Sequence, residues 1–479
     1  MDNKNVKYAV SSIFKVAFSN IVSLAAGVLA AFVLPKIMGI DDYGYYKIFT
    51  LYASYVGLAA IGITDGIYLK FAGTNYENID RNLLRFFTKF YILFEFIVSL
   101  IFGIVCFFSF KGELRFIFLF LSFYLFANNL LGYYKIISQI TYRFNELSIK
   151  NIVQSIFLIL SVLVLWLTYR FCSFIPNYMI YIAIYVSIIA LITLWYIFTY
   201  REITFGKVYA ISNRKSLILE LIKLGIPLLV ANLCSSFILS IDRQFVSIYF
   251  DIETYAIYSF AYNMLALITT ATSAISTVIY PIIKRNQSDN ISEHYSKLVE
   301  VILIFVFMCT LIYYPLSIFI KWYLPKYIDS LEILMVIFPG LAINSAITIA
   351  IMNYYKHIGK VFNYFIRSAI ILLLSIGANF IAYYSFGTTI SISIASVIVM
   401  LFWYLIVDSY FIKNYKVKWI KNLLYLIVMS VVFYLISIIG NKLVGFCIYF
   451  LLFILTTFAF YYKDIKFIIK NFKKKEENN

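Results

Sequence analysis

The sequence predicts an all-α, polytopic integral membrane protein of about fourteen transmembrane helices, arranged as two pseudo-symmetric six-helix lobes followed by a C-terminal helix pair. Three observations carry this expectation. Of the 479 residues, 63% are hydrophobic and only 13% charged, whereas an ordinary soluble domain carries roughly a quarter charged residues. The apolar runs recur at about the 20 residues needed to cross a bilayer core. Lysine and arginine fall in the short gaps between those runs.

Taken in chain order with a window of about 19 residues, the runs place spans near 12–34, 44–69, 86–109, 114–134, 150–169 and 177–199. The first begins after Lys4, Lys7 and Lys15 as a secretory leader would. Its apolar stretch continues to about Leu34 with no convincing cleavage site, and many comparable segments follow, so it reads as a retained span. After the polar loop Tyr200 to Ser216 come spans near 218–240, 254–282, 298–319, 330–352, 362–384 and 389–411, then a pair near 420–438 and 443–462. The expected organisation is a lobe over 1–200, a cytoplasmic linker at 201–216, a second lobe over 217–412, and a terminal pair with a basic tail over 413–479.

Charge gives an independent test of this order. With the N-terminus inside, the cytoplasmic segments include Lys70 to Lys89, Lys135 to Lys150, Arg201 to Lys223, Lys284 to Lys297, Lys356 to Arg367, Lys413 to Lys421 and the tail Lys463 to Lys475. About three quarters of all lysine and arginine then lie inside, as the positive-inside rule requires. Both termini are therefore expected in the cytoplasm. The net charge of +17 builds no single basic face, so it points to lipid head groups and not to nucleic acid.

Enzymatic chemistry finds little to work with. No loop exceeds about 20 residues, which leaves no room for a soluble catalytic domain. There is no GxxxxGK[ST] phosphate loop and no GxSxG elbow, and the two histidines, His294 and His357, cannot make a triad or a histidine metal site. Cys106, Cys172, Cys234, Cys309 and Cys447 are widely spaced in or beside apolar runs and read as small buried hydrophobes. No cofactor, metal or catalytic residue is expected.

One motif recurs. Ile40-Asp41-Asp42-Tyr43-Gly44-Tyr45-Tyr46 opens the second span and Ile252-Glu253-Thr254-Tyr255-Ala256-Ile257-Tyr258 opens the eighth. Each reads as an acidic helix start, where carboxylates complement the helix dipole, followed by interfacial aromatics. An even number of spans separates the copies, so the two lobes are expected to share a topology about an axis along the membrane normal, with a cavity between them.

These residues carry a resemblance. The run Leu34-Pro35 through Gly39, the Asp42-Tyr43-Gly44-Tyr45-Tyr46 motif, Gly225-Ile226-Pro227 and Ile241-Asp242-Arg243 resemble the Wzx-type polysaccharide biosynthesis flippases of the multidrug/oligosaccharidyl-lipid/polysaccharide exporter superfamily. The resemblance covers essentially the whole chain. It implies a V-shaped pair of lobes that flips undecaprenyl-diphosphate-linked oligosaccharide repeat units across the plasma membrane, with membrane lipids and polysaccharide polymerase or export machinery as further partners.

Such a substrate needs cations and hydrogen-bonding groups inside a greasy cavity, so intramembrane polar residues are the candidates. In the seventh span Asn232, Ser236, Ser240 and Arg243 recur at helical spacing, and in the eighth Ser259, Asn263, Thr270, Ser273 and Thr277 do the same. Arg243 is the foremost candidate for phosphate or sugar, since a guanidinium is a fixed fork of donors that stays charged. Snorkelling to the outer interface is the competing role. Arg367, near the cytoplasmic start of the eleventh span, is a second candidate. Asp65 and Glu95 lie within apolar runs where an isolated carboxylate is costly, so either is a candidate for coupling to protons or sodium, with pairing of Asp65 to Lys70 as the structural alternative. The competing functions are a drug or small-cation exporter, a peptidoglycan-precursor flippase, and a membrane glycan polymerase, the last requiring a large extracytoplasmic loop that the sequence lacks.

Overall fold

The computed structural model describes residues 3–71, 76–285 and 291–476, with side chains at all of these except 3–14, 17, 78, 231, 270–282, 284–285 and 463–476. Every regular element among the described residues is helical. That follows from the composition, because in hydrocarbon each backbone N–H and C=O must find its partner within the segment.

The chain divides into two compact units, Met1–Ser259 and Phe260–Asn479. The first begins with α1 (Asn3–Ile37), α2 (Ile40–Ala53), a 3-10 turn (Val56–Ala60) and α3 (Ile63–Phe71). The long helices α4 (Arg81–Ser109), α5 (Gly112–Ile140), α6 (Phe144–Cys172) and α7 (Tyr178–Thr199) follow. A short α8 (Arg201–Thr204) leads to α9 (Arg214–Ile238) and α10 (Ile241–Tyr249), and α11 (Ile252–Arg285) runs on into the second unit. That unit holds α12 (Ile291–Cys309), α13 (Tyr313–Tyr323), α14 (Ser330–Ile337), α15 (Gly340–Ser345), a π-helical stretch (Ala346–Ile351) and α16 (Met352–His357). It closes with α17 (Val361–Phe386), α18 (Thr389–Tyr415), α19 (Ile420–Ser437) and α20 (Lys442–Glu476), the last kinked at Tyr461.

Eleven helices among the described residues are long and apolar enough to cross a bilayer, and two bent pairs bring the count to at most thirteen. The expected span that this count lacks is the eighth, near 254–282, which is α11. It is not among those thirteen, and the side chains of its second half lie outside the described residues.

The two bent pairs were expected as straight spans near 44–69 and 330–352. The second span instead bends by 60° between α2 with its 3-10 turn and α3, and the tenth by 46° between α14 and α15. At the first break Ile61 and Gly62 both take left-handed backbone, with φ of 46° and 74°. A β-branched residue there is strained. Gly62 is required twice over, since a Cβ at that position would also stand 2.7 Å from the Ile226 nitrogen of α9.

Within the first unit α5 is central and α4 peripheral. α5 buries Asn129, Tyr133 and Tyr134, whereas α4 turns Leu93, Ile97, Leu100, Ile101 and Phe108 outward, a face suited to lipid. α1 lies along α6, joined by Ser23 to Ser155 at 2.7 Å and Lys15 to Asn145 at 2.8 Å. Cys106 and Cys234 are buried as expected, but Cys172 and Cys447 are exposed. On an apolar outer face a cysteine meets lipid at no greater cost than it meets protein.

Candidate functional site

The site grows from the break in the second span and the break between α9 and α10. Lys47 sits midway along α2, only 9% exposed. It forms no ion pair among the described residues. Its ammonium lies 5.2 Å from the ring centre of Tyr43 and 5.1 Å from that of Tyr46, within the range where an aromatic face stabilises a cation. Arg243 is close enough to act on it electrostatically.

The chain brings Arg243 there by interrupting a helix. α9 ends at Ile238, Ser240 departs from helical backbone with φ −132° and ψ −5°, and α10 restarts at Ile241. Ser240 Oγ donates its one proton to the Ser236 carbonyl at 2.8 Å, so Tyr55 must be the donor in the 2.7 Å bond between their hydroxyls. Gln244 Nε2 donates to the Tyr52 hydroxyl at 2.5 Å. These two bonds fasten the end of α2 to the start of α10. Arg243 Nη2 folds back onto the Leu239 carbonyl at 3.2 Å.

Asp242 is buried and points elsewhere, as neighbours on a helix must. Its carboxylate accepts from the Tyr258 hydroxyl at 3.0 Å and from the Arg243 backbone N–H at 2.7 Å. Tyr255 donates to the Lys47 carbonyl at 3.2 Å. The acidic helix starts expected at Ile40 and Ile252 are present, with Asp41 and Asp42 in one first turn and Glu253 in the other. Of the aromatics after them, Tyr43, Tyr255 and Tyr258 are buried within the bundle. The Tyr255 and Tyr258 hydroxyls find polar partners inside the bundle, as a buried tyrosine hydroxyl generally does. The result is two cations edged by tyrosines that carry hydrogen-bonding groups, an arrangement suited to an oxyanion with several acceptor oxygens.

The other candidates fall at different places. Asn232 and Ser236 are exposed on α9 and continue the ladder, with Ser236 Oγ donating to the Asn232 carbonyl at 3.1 Å. Asn263 is half-buried on α11 in the second unit, and Thr270 lies outside the residues whose side chains are described. Arg367, also in the second unit, donates through Nη1 to the Ile406 carbonyl at 2.5 Å and to Ser409 Oγ at 2.6 Å, which staples α17 to α18.

The two carboxylate candidates converge on Tyr91, with which both interact electrostatically. Glu95 is fully buried; its Oε2 accepts from Asn129 Nδ2 at 3.0 Å, and the same amide donates to the Val56 carbonyl at 3.0 Å. Glu95 Oε1 accepts no hydrogen bond of good geometry among the described residues. Asp65 is half-buried on α3. Lys70 does not pair with it; the lysine reaches Glu220 of α9 at 2.9 Å, because residues five apart on a helix face different ways. Among the described residues no three His, Cys, Asp or Glu side chains gather as a metal site would require.

A model of the polysaccharide biosynthesis protein family matches residues 9–287, more than half of the chain. The chain belongs to that family. A sequence search of curated proteins returns no match.

Solved structures extend the fold beyond the matched region. The lipid II flippase MurJ, in an inward closed conformation, superposes with a TM-score of 0.69 at 18% identity, covering 95% of this chain and 100% of that one. An inward-facing multidrug resistance MATE transporter of the MOP superfamily gives 0.59 at 14% identity, covering 84% and 96%. A MOP superfamily transporter from Pyrococcus furiosus gives 0.53 at 12% identity, covering 83% and 95%. At these identities the shared property is the fold, which in these neighbours serves flippases and transporters.

For this member of the polysaccharide biosynthesis family, sequence reading found Arg243 through its spacing from Ser240 and Ser236 but passed over Lys47. The signal was present: a lysine inside an apolar run with tyrosines four residues and one residue before it.

Proposed function

We propose that the chain is a flippase that moves undecaprenyl-diphosphate-linked oligosaccharide repeat units from the inner to the outer leaflet of the bacterial plasma membrane, for assembly of surface polysaccharide. The single observation that carries this reading is the placement of Lys47 and Arg243 on two helices fastened together by hydrogen bonds, in a tyrosine-edged site of a membrane-spanning unit. Two like charges in a poorly hydrated site repel each other. A diphosphate relieves that repulsion, whereas a cationic drug worsens it. The family model, named for polysaccharide biosynthesis, supports a glycan cargo. In this reading Lys47 and Arg243 hold the diphosphate, Asn232 and Ser236 offer hydrogen bonds to sugar, and Glu95 with Asp65 couples the cycle to an ion gradient. The basic segments support a cytoplasmic position for both termini in this reading.

A second reading keeps the chemistry and changes the glycan. The neighbour of highest TM-score among the three is a lipid II flippase, and lipid II also carries a diphosphate. Deletion of the gene separates the two. The repeat-unit reading expects surface polysaccharide to vanish while its lipid-linked units accumulate on the cytoplasmic leaflet and growth continues. Accumulation of lipid II with loss of wall integrity would move the protein to the second reading, and normal surface glycan would sink the first.

A further inference from the structure

Away from the cations, the outer face of the first unit carries a groove of about 330 Å³ between α4, α5 and the start of the linker. Lys89, Leu93 and Phe96 follow one another at four- and three-residue spacing on α4, so they share a face, and Phe126 of α5 and Phe205 after α8 close the sides. Phe96 and Phe126 meet edge to face with centroids 5.9 Å apart. The linker is pinned to make this wall: Arg85 Nε donates to the Glu202 carbonyl at 2.9 Å, and Arg81 pairs with the Glu202 carboxylate at 3.2 Å. Phe205 is thereby held outward, 65% exposed, beside a Leu93 that is 59% exposed.

We propose that this groove binds one anionic phospholipid, its phosphate at Lys89 and an acyl chain along Leu93, Phe96 and Phe126. Two features select that occupant. The floor offers a polypeptide no free hydroxyl donor, since the Thr204 hydroxyl donates to the Tyr200 carbonyl at 3.0 Å and is bonded to Tyr134 at 2.7 Å. An apolar channel inside a lipid-facing surface is what an acyl chain requires. Among the described residues Lys89 is the only charged side chain of the lining, is exposed, and forms no ion pair or hydrogen bond. Arg81 and Arg85 are committed to the linker, so Lys89 is the cation available to a phosphodiester. Because the linker forms one wall, the bound lipid ties it to the first helical bundle.

The test uses the full chain with Phe96→Trp, reconstituted in phosphatidylcholine vesicles containing a minor fraction of phosphatidylglycerol, with bromine on the acyl chains of one lipid at a time. Quenching of the five native tryptophans is subtracted with the parent protein. One lysine near a membrane surface gives a preference of about fivefold for an anionic lipid. Brominated phosphatidylglycerol should therefore quench the added tryptophan about fivefold more per mole than brominated phosphatidylcholine. Lys89→Gln should remove the preference and Lys89→Arg keep it. Equal quenching by the two lipids would overturn the proposal, as would quenching by neither, which is the outcome if a second copy or another protein covers the groove. Phe126→Trp provides the same readout if Phe96→Trp fails to fold.

Discussion

Replacing Lys47 by methionine keeps an unbranched, mostly apolar side chain beside Tyr43 and Tyr46 and removes only the ammonium. In the free protein this relieves a cation that is nearly buried and has no ion-pair partner among the described residues. Such an exchange of buried charge for apolar volume is often neutral or stabilising. In the complex it deletes a charged hydrogen bond to phosphate, worth about 1.5–3 kcal/mol. Lys47→Met is thus expected to weaken binding of a polyprenyl diphosphate by about 10- to 150-fold, while thermal stability without ligand stays level or rises. The assay is a titration of purified protein in detergent with the polyprenyl diphosphate, with melting temperature measured alongside. Unchanged affinity would refute the diphosphate site. A loss of affinity matched by a loss of folding would refute the reasoning from an unpaired cation.

Other sites should respond differently. Glu95→Gln keeps an acceptor for Asn129 but removes the charge, so lipid binding should persist while transport loses its dependence on an imposed ion gradient, measured in proteoliposomes. Arg367→Gln cuts the staple between α17 and α18 and should lower melting temperature without changing lipid affinity. Gly66→Val would drive a side chain into the Leu221 carbonyl of α9, an overpacking that costs about 1–3 kcal/mol and should separate α3 from α9, seen as lowered stability. Tyr295→Phe leaves the buried Asp408 carboxylate without the hydroxyl that donates to it, a loss of about 1–3 kcal/mol by the same melting assay.

Most of the helices were legible because bilayer thickness fixes their length and hydrocarbon forbids other backbone. What escaped was local. A window of about 19 residues averages over Ile61-Gly62 and Phe338-Pro339, so two broken spans read as straight ones, although glycine and proline marked both places. The buried tyrosines of the two motifs escaped because hydropathy treats Tyr255 and Tyr258 as surface-seeking. Their partners, the Lys47 carbonyl and the Asp242 carboxylate, lie on helices that no spacing rule brings together. Arg243 was visible from its spacing to Ser240 and Ser236, although the chain leaves helical backbone at Ser240 and restarts as α10, whereas Lys47 becomes significant only once α10 is fastened to the end of α2. Arg367 stood second to Arg243 in sequence, and nothing there reveals that its Nη1 bonds to α18.

The central claim is that the paired cations carry a lipid-linked diphosphate across the membrane. It is tested most directly by reconstituting the wild type and the Lys47→Met, Arg243→Met double variant in proteoliposomes loaded with an undecaprenyl-diphosphate-linked oligosaccharide. Arrival of the glycan in the opposite leaflet is then followed with a membrane-impermeant enzyme that cleaves it. Transfer by the wild type and none by a folded double variant is the predicted result. Equal transfer by both, or none by the wild type under any imposed gradient, would contradict it.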